Sequence, residues 1–299
     1  MPYHGVAPER RFLFDAAAPR ADIGVSDAAA WRLNPRHRWV YDKLGLALSQ
    51  GVTAAPAGVD PCDMGLAPEE RVFVRPITNL AGMAVGAHAA RAEAVSHVPG
   101  TFWCRYLDGE QSSTDCLVRD GEVVWFAHTV AGAEWQDGRP VYWRIGVERP
   151  ANEAVLARWV AANLPDYTGI CNFELIGDTL IEAHLRGSNG FFDFYGPDFI
   201  PAWAHLVDTG EWRDPGRLPG GFLFSVFTGR REAVGLDLAQ VRGLAEPGVT
   251  VALDLDGEGR PANGRVAIVR GADYAAARRV WAALCEALGV RSEEELSPR

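Results

Sequence analysis

One short stretch of the sequence carries carboxylates, an imidazole and a guanidinium at a spacing that would bring them together. The residues are Glu174, Glu182, His184 and Arg186. Carboxylates are side-chain ligands that Mg²⁺ prefers, with water and phosphate oxygens completing its coordination, and arginine binds phosphate as a planar fork. The set therefore predicts a site for a divalent cation and a phosphate group.

The element that must position this set is a predicted β-hairpin spanning Cys171–Arg186. Two apolar runs flank Gly177-Asp178, a dipeptide suited to a tight turn. In the second run, residues 182, 184 and 186 alternate with Ile181, Ala183 and Leu185, and a period of two assigns the sets to opposite faces. An ordinary half-solvated hairpin with a charged outer face would show the same alternation, so the hairpin alone leaves both interpretations open.

Together with three upstream segments, the hairpin resembles the ATP-grasp family. In that family an acidic residue ends one strand and a Glu-x-Asn-x-Arg-like run follows, which matches Glu174 and then 182–186. The upstream segments resemble the helix whose lysine reaches ATP and the strand entry after it, a phosphate-contacting strand with its glycine-rich flap, and the adenine hinge. In chain order they are Tyr41-Asp42-Lys43 with 51–56, Val72–Pro76 with the loop Ile77–Gly86, and Tyr106–Asp115.

The resemblance implies an α+β fold of two lobes, with antiparallel sheets, packed helices and a small C-terminal α/β subdomain. It also implies an ATP-dependent ligase, in which a small-molecule carboxylate attacks the γ-phosphate and an amine displaces phosphate from the acylphosphate. The implied cofactors are ATP and Mg²⁺, with Mn²⁺ as an alternative. The implied catalytic residues are Arg186 and Arg75, and the implied metal ligands are Glu174, Glu182 and His184.

The resemblance also assigns nucleotide contacts. These residues are Lys43, Arg75, Asn79, Cys104, Arg105, Tyr106, Leu107 and Gln111. Lys43 and Arg75 would hold the α- and β-phosphates, Arg186 the transferring phosphoryl group, the backbone of 104–107 adenine, and Gln111 the ribose. The flap would close to exclude water from the acylphosphate. Asn79 in the flap could orient a phosphate, or could only stabilise a turn.

Several residues depart from the family pattern. Arg75 replaces the usual lysine and keeps its charge, but a guanidinium is not geometrically equivalent to an ammonium. Gln111 replaces a glutamate, and His184 stands at the usual asparagine, although Mg²⁺ prefers oxygen ligands. The region before the lysine-bearing helix is also reduced. These departures favour one alternative, a catalytically inactive nucleotide-binding or structural member of the fold. A small-molecule kinase on the same fold, which would differ from the ligase only in the acceptor, is a further alternative.

Composition limits the classes of partner. The chain has 299 residues, 48% of them hydrophobic, and a formal net charge of −10. That length can bury a substantial core, and the acidic balance argues against nucleic acid and anionic membrane surfaces as partners. We find no run of 18 apolar residues and no apolar leader segment. Five scattered cysteines suit reduced thiols in a cytoplasmic protein, with Cys104, Cys116 and Cys171 as core residues.

We divide the sequence into a reduced N-terminal region with the lysine-bearing helix (1–70), ATP-grasp-like nucleotide-binding lobes (71–221) and a C-terminal α/β subdomain (222–299). The first region should hold a strand at Phe12–Phe14, a helix over Arg38–Gln50 that ends at Gly51, and a loop over 54–70. The second should hold strands near 71–75, 101–107, 113–118 and 122–129, a helix over 151–163 and then the hairpin.

The predicted C-terminal subdomain has strands near 222–227, 249–255 and 265–270, followed by a helix over 272–288. Apolar residues recur along that helix at three- and four-residue spacing, which predicts a stripe that faces a core. They are Tyr274, Ala277, Trp281, Leu284 and Leu288. We expect a packing role for this unit, which could also provide the contacts of a homodimer.

Overall fold

The computed structural model describes residues 2–81, 86–136, 139–228, 241, 243–255, 264–290 and 297–298. The strands in these ranges are β1 (Tyr3–His4), β2 (Ile23–Gly24), β3 (Ala54–Pro56), β4 (Arg71–Pro76), β5 (His88–Arg91), β6 (Thr101–Arg105), β7 (Gln111–Arg119), β8 (Glu122–Ala131), β9 (Glu134–Gln136), β10 (Arg139–Pro140), β11 (Tyr142–Val147), β12 (Gly169–Ile176), β13 (Thr179–His184), β14 (Gly221–Phe227), β15 (Val249–Leu253), β16 (Arg265–Gly271) and β17 (Ser297–Pro298).

The α-helices are α1 (Asp27–Leu33), α2 (Lys43–Ser49), α3 (Pro150–Asn163), α4 (Phe199–Thr209) and α5 (Tyr274–Ala287). Short 3₁₀ helices cover Pro8–Phe14, Arg38–Tyr41, Cys62–Met64, Ala92–Ala94 and Phe192–Phe194. In the described part of the chain, none of the helices has the length and apolar character needed to cross a bilayer. Among the described strands, all pairs except the short β1–β2 pair are antiparallel. The predicted α+β class is confirmed.

The chain divides into two compact units. The first comprises Met1–Phe126, Arg149–Asn189 and Phe199–Pro215, and the second comprises Ala127–Glu148, Gly190–Asp198 and Gly216–Arg299. The first unit contains every residue of the site described below.

Besides the short β1–β2 pair, the described residues of the first unit form strands of two sheets. One has the order β13-β12-β7-β8, and the other has the order β3-β6-β4-β5. Strands β7 and β8 are joined by a turn at Asp120-Gly121, where both residues have positive φ (48° and 80°), as a type I′ turn requires. Helix α3 packs Leu156 and Val160 into a core with Phe173 of β12. Burying this apolar face fixes β12 and its partner strands in place.

The helix predicted over 38–50 is interrupted. A 3₁₀ helix ends at Tyr41, and Asp42 then serves as the N-cap of α2, its side chain accepting a hydrogen bond from the Gly45 N–H at 2.9 Å. An aspartate side chain forms hydrogen bonds with nearby backbone groups, which disfavours aspartate inside a helix and favours it at an N-cap. This preference explains the break in the helix at Asp42. Leu48 of α2 is 53% exposed. The predicted end at Gly51 is confirmed, since its φ is +75°.

Two further local predictions are wrong. Phe12–Phe14 ends a 3₁₀ helix that begins at Pro8, whose ring fixes φ at a helical value. The predicted loop 54–70 contains β3, in which Ala54 pairs with Cys104 of β6, and a 3₁₀ turn. Strand β3 forms because it pairs with a strand that is distant in sequence, and local composition does not reveal such pairing.

The second unit contains strands in the order β8-β11-β14-β16-β15, to which β8 contributes its second half, and the short strands β10-β9-β17. Helix α5 buries the predicted Ala277, Trp281 and Leu284 against β14 and β16, and Trp281 Nε1 donates to the Ser225 carbonyl at 3.0 Å. The predicted core-facing stripe of this helix is therefore confirmed.

Candidate functional site

The predicted hairpin forms as β12 and β13. Gly177 alone of the two turn residues has positive φ (56°), the requirement of a type II′ turn. Glu174 lies directly opposite Glu182, and the register shifts immediately after Glu174. Ala183 and Leu185 enter the apolar core, so the face opposite the charged residues is buried as predicted. The two glutamates therefore meet across the strand pair.

Two cations from distant segments surround the Glu182 carboxylate. Lys43 Nζ lies 2.6 Å from Oε1, and Arg75 Nη1 lies 3.6 Å from the same oxygen. The two cationic side chains are 7% and 6% exposed. Arg75 also donates to the Ile181 carbonyl at 3.1 Å, and the Lys43 N–H donates to the Ile77 carbonyl at 2.9 Å, which ties α2 to the end of β4.

The two opposed carboxylates titrate differently. Burial acts to raise the pKa of Glu182, but Lys43, His184 and Arg75 outweigh it and hold that pKa well below its usual range. Burial, followed by the neighbouring Glu182 carboxylate, raises the pKa of Glu174 above its ordinary value. Gln111 Nε2 lies 3.4 Å from Glu174 Oε2. The site thus holds one firmly ionised carboxylate beside one that retains its proton more readily.

Asp27 is a site residue that the sequence did not reveal. It begins α1, whose N-cap is Ser26, and it is buried. Its Oδ1 lies 2.9 Å from His184 Nδ1 and accepts from Arg186 Nε at 2.9 Å, while Oδ2 accepts from Arg186 Nη2 at 2.9 Å. Burial acts to raise the Asp27 pKa, but Arg186 and His184 lower it well below its usual range. No motif marks this residue, because its contacts span more than 150 positions of sequence.

His184 is held on several sides. Besides Asp27, it forms a T-shaped ring contact with Tyr41 at 5.7 Å between centroids, and its Nε2 lies 3.2 Å from Glu182 Oε2. Burial and Arg186 act to lower the pKa of His184, but Asp27 and Glu182 outweigh them and raise it. The Nε2 atom is buried, and no hydrogen bond of acceptable geometry reaches it from the described residues.

A buried polar network supports Arg186 from behind. Asn172 Oδ1 lies 3.5 Å from Arg186 Nη1, and its Nδ2 donates to Asp115 Oδ1 at 2.8 Å. Asp115 Oδ2 accepts from the Ser188 N–H at 2.8 Å, and Asn172 also donates to Ser113 Oγ at 2.8 Å. Asn172 and Asp115 are each 1% exposed. The network fixes both the arginine and the chain that follows it.

The remaining predicted nucleotide contacts occupy other positions. Cys104 is buried in the core with Ala47, Ala54 and Phe102, so only its backbone could face a nucleotide. The Arg105 N–H donates to the Thr53 carbonyl at 2.8 Å, and the Tyr106 N–H donates to the Arg71 carbonyl at 3.1 Å. The N–H groups of these two hinge residues therefore already donate to backbone carbonyls of the protein.

The flap is described only in part. Asn79 Oδ1 accepts from the Ala81 N–H at 2.9 Å, the contact expected of the turn alternative. Residues 82–85 lie outside the described residues. The adenine and flap assignments, which include Asn79, Cys104, Arg105, Tyr106 and Leu107, stay predictions.

The donors present fit a divalent cation. One ligand atom from each of Glu174, Glu182 and His184 lies within 4.8 Å of the other two. Two carboxylates and one imidazole form an accepted donor set for a dication, and a buried imidazole nitrogen without a hydrogen bond is a suitable ligand atom. The three predicted metal ligands are thus brought together by the fold.

Comparison with known proteins gives likeness in structure alone. No family model matches the sequence, and no curated protein matches it. The structure is similar to that of an L-amino acid ligase from Bacillus licheniformis, with a TM-score of 0.58 and 14% identity, over 87% of this chain and 76% of the ligase.

Two further structures are similar to the chain. An N5-carboxyaminoimidazole ribonucleotide synthetase from Thermus thermophilus has a TM-score of 0.56 and 16% identity, over 88% of this chain and 79% of that one. A phosphoribosylamine–glycine ligase from Thermotoga maritima has a TM-score of 0.57 and 14% identity, over 95% and 86%. The fold shared with these proteins is the one that the sequence resemblance predicted.

Proposed function

We propose that this chain, which has the ATP-grasp fold, is an ATP-dependent ligase that activates a small-molecule carboxylate for attack by an amine. The observation that supports the proposal is the convergence of Lys43 and Arg75 on the Glu182 carboxylate, which lies opposite Glu174. Arg186 is held nearby through Asp27, which also contacts His184. A polyphosphate with a bound divalent cation requires cationic side chains for its oxygens and carboxylates for the cation, and both kinds of side chain are buried together here.

The proposed reaction has two steps. An oxygen of the substrate carboxylate attacks the γ-phosphorus, and the bond between that phosphorus and the β,γ-bridging oxygen breaks, so ADP leaves with the electron pair. The amine nitrogen then attacks the acyl carbon, the bond from that carbon to the phosphate oxygen breaks, and the amine loses a proton. Phosphoryl transfer of this kind needs positioning and charge neutralisation more than covalent catalysis by side chains.

Each side chain has a defined task in this proposal. Lys43 and Arg75 bind the α- and β-phosphates, and Arg186, oriented by its two hydrogen bonds to Asp27, binds the transferring phosphoryl group. Glu174 and Glu182, with His184 beside them, hold Mg²⁺ or Mn²⁺. When bound, that cation neutralises charge on the β- and γ-phosphate oxygens.

A specific contact favours the inactive alternative. Arg75, which replaces the family's usual lysine, donates to the Ile181 carbonyl at 3.1 Å and stacks over Phe102 at 5.2 Å. Those contacts would give the residue a structural role in a protein that binds nucleotide without turnover. ATP binding is common to both candidates, whereas ADP release distinguishes them.

The first test measures nucleotide binding by the full chain. Binding is detected as an increase in thermal stability when ATP and Mg²⁺ are added. A ligand at 100 times its Kd adds about 2.7 kcal/mol of apparent stability. Lys43→Met should abolish that increase, whereas Arg119→Gln, at an exposed surface ion pair, should retain it. The absence of a shift in the wild type with any nucleotide at millimolar concentration would rule out the proposal.

The second test is ADP release with pooled carboxylic acids and amines. Release that requires both pools supports a ligase. Release with one pool and phosphorylation of its members would indicate a kinase, and bound ATP without release would indicate the inactive alternative.

A further inference from the structure

We infer that Asp27 orients His184 so that its Nε2 atom binds the divalent cation, and that the site consequently prefers a first-row transition-metal dication to Mg²⁺. The inference rests on the proposed function, because it concerns the cation that accompanies the nucleotide. It assigns a positioning role to a residue in α1 that lies far from the hairpin in sequence.

The first step is the arrangement of the imidazole. His184 Nδ1 lies 2.9 Å from Asp27 Oδ1, with the two side chains 3% and 7% exposed. Histidines that bind metals usually direct the other ring nitrogen to a carboxylate or carbonyl group, which fixes the ring and its tautomer. The Asp27 carboxylate meets that description, and with Nδ1 at Asp27 the Nε2 atom faces the glutamates, 3.2 Å from Glu182 Oε2.

The second observation concerns the hydrogen bonding of the His184 Nε2 atom. It is buried and lies 3.2 Å from Glu182 Oε2, yet it has no hydrogen bond of acceptable geometry from the described residues. Buried polar atoms are normally satisfied, so an orphaned nitrogen among carboxylates indicates a partner of another kind. A cation bound by Glu174, Glu182 and His184 would satisfy it.

The third step is the rigidity of Asp27 itself. Arg186 forms two hydrogen bonds to this carboxylate, both at 2.9 Å, and the Tyr41 and His184 rings form a T-shaped contact. Neither the aspartate nor the imidazole can turn away without breaking buried contacts. The donor geometry is therefore set before a cation arrives.

The donor chemistry decides the metal. Mg²⁺ requires hard oxygen ligands in nearly ideal octahedral geometry, whereas Mn²⁺ and later first-row dications accept imidazole nitrogen. A site with two carboxylates and one imidazole should therefore bind Mg²⁺ less tightly than it binds these dications. His184→Asn would restore an oxygen donor of similar length and is the matched variant for this comparison.

The experiment uses Mn²⁺ as the probe, with the full-length protein and a non-hydrolysable ATP analogue. Electron spin-echo modulation from ¹⁴N reports directly whether an imidazole nitrogen binds the Mn²⁺, and competition with Mg²⁺ gives the preference. We expect ¹⁴N coupling and tighter binding of Mn²⁺ than of Mg²⁺ in the wild type. His184→Asn should remove the coupling and narrow the preference.

Asp27→Asn should weaken Mn²⁺ binding by about 10- to 100-fold, the usual effect of losing such a supporting carboxylate. Asp27→Glu should recover part of the affinity. Asp166→Asn is the control, because Asp166 lies 2.8 Å from His37 Nε2 at a more exposed position outside the proposed site. It should leave both the coupling and the metal preference unchanged.

Bound Mn²⁺ without ¹⁴N coupling in the wild type overturns the inference, as does equal metal preference in the wild type and His184→Asn. Unchanged Mn²⁺ affinity in Asp27→Asn overturns the role of Asp27. If Asp27→Asn fails to fold, Asp27→Glu decides that role: a partly reduced affinity supports it, and an unchanged affinity overturns it. Analogue binding without a nitrogen ligand removes this inference and leaves the proposed function standing, whereas no analogue binding removes both.

Discussion

Lys43 Nζ lies 2.6 Å from Oε1 of Glu182, so a lysine assigned to phosphate and a glutamate assigned to metal contact each other directly. Both side chains are largely buried, and Lys43 is among the groups that keep the Glu182 carboxylate ionised. A buried ion pair offsets the desolvation of both charges, and removing one member leaves the other without compensation. Any ligand of this site must therefore compete with, or replace, that pair.

Glu182→Gln should change nucleotide binding in two directions. With Mg²⁺, affinity for ATP should fall towards the metal-free value, because a metal ligand is lost while side-chain volume is kept. Without metal, affinity should rise, because a neutral amide holds Lys43 and Arg75 less strongly and leaves them available to phosphates. Calorimetric titration with Mg²⁺ and with a chelator measures both.

The matched control for Glu182→Gln is Glu122→Gln, which removes a carboxylate 73% exposed in a surface pair with Arg119. Exposed pairs contribute little, so this variant should bind like the wild type. Equal affinity of the wild type and Glu182→Gln for Mg·ATP would mean that the hairpin is structural.

Arg75→Lys should retain ADP release if the chain is an active ligase, because lysine is the family's usual residue at this position. Lysine cannot reproduce both the contact with Glu182 and the hydrogen bond to the Ile181 carbonyl, so a loss of stability is also expected. The free energy of unfolding should fall by about 1 kcal/mol, the usual contribution of one hydrogen bond.

The Arg75→Lys result has meaning only with ATP binding measured beside it. Release that persists in the variant favours the ligase. Loss of release in the variant, with wild-type turnover and unchanged ATP binding, would show that the guanidinium itself is required, contrary to this prediction.

The hairpin and the clustering of Glu182 and His184 on one of its faces could be predicted because a period of two is a local property of the chain. Lys43 and Arg75 were found by their order and spacing within a resemblance, and the fold brings both to Glu182. Asp27 and Asp115 could not be found in this way, because each contacts its partner across a long separation in sequence with no local pattern. The helix break at Asp42 was missed for the opposite reason, since a local cap overrides the apolar periodicity.

Asp115→Asn should destabilise the protein and weaken the site together. Both carboxylate oxygens accept hydrogen bonds, from Asn172 Nδ2 and from the Ser188 N–H, and an amide group would direct a donor at one of these donors. Hydrogen bonds to charged groups contribute about 1.5–3 kcal/mol each, so the free energy of unfolding should fall by about that amount. Urea unfolding measures it.

Ser113→Ala is the control for Asp115→Asn, because Asn172 keeps its bond to Asp115 when the serine hydroxyl is lost. It should have the smaller effect on both stability and ATP affinity. An effect of Ser113→Ala as large as that of Asp115→Asn would contradict the larger contribution expected from the two hydrogen bonds to the Asp115 carboxylate.

The stability of the metal-free protein should fall as pH rises above the ordinary His184 value of 6.5. The folded state raises the pKa of this imidazole, so it binds the proton more tightly than the unfolded chain does. The resulting stabilisation is complete below pH 6.5 and is lost as pH rises through the folded value. Each tenfold gain in proton affinity is worth about 1.4 kcal/mol.

Two other groups in the site act in different pH ranges. The lowered pKa of Asp27 gives stability that is present above the ordinary value of 3.8 and is lost as pH falls through its folded value. The raised pKa of Glu174 gives stability that is lost from pH 4.5 upward. A Glu174→Gln variant removes that second contribution and leaves the histidine as the principal group of the site that titrates above pH 6.5.

Urea unfolding in the presence of a chelator, from about pH 5.5 to about pH 8.5, gives the free energy of unfolding at each pH. The variants are compared by the slope of this free energy against pH, not by its absolute value. In the Glu174→Gln background, the free energy of unfolding should still decline above pH 6.5, and adding His184→Asn should flatten the curve. Asp27→Asn in the same background should also reduce the slope, because Asp27 is the carboxylate that lies 2.9 Å from the imidazole. Equal slopes with and without His184 would show that the imidazole does not gain a proton on folding.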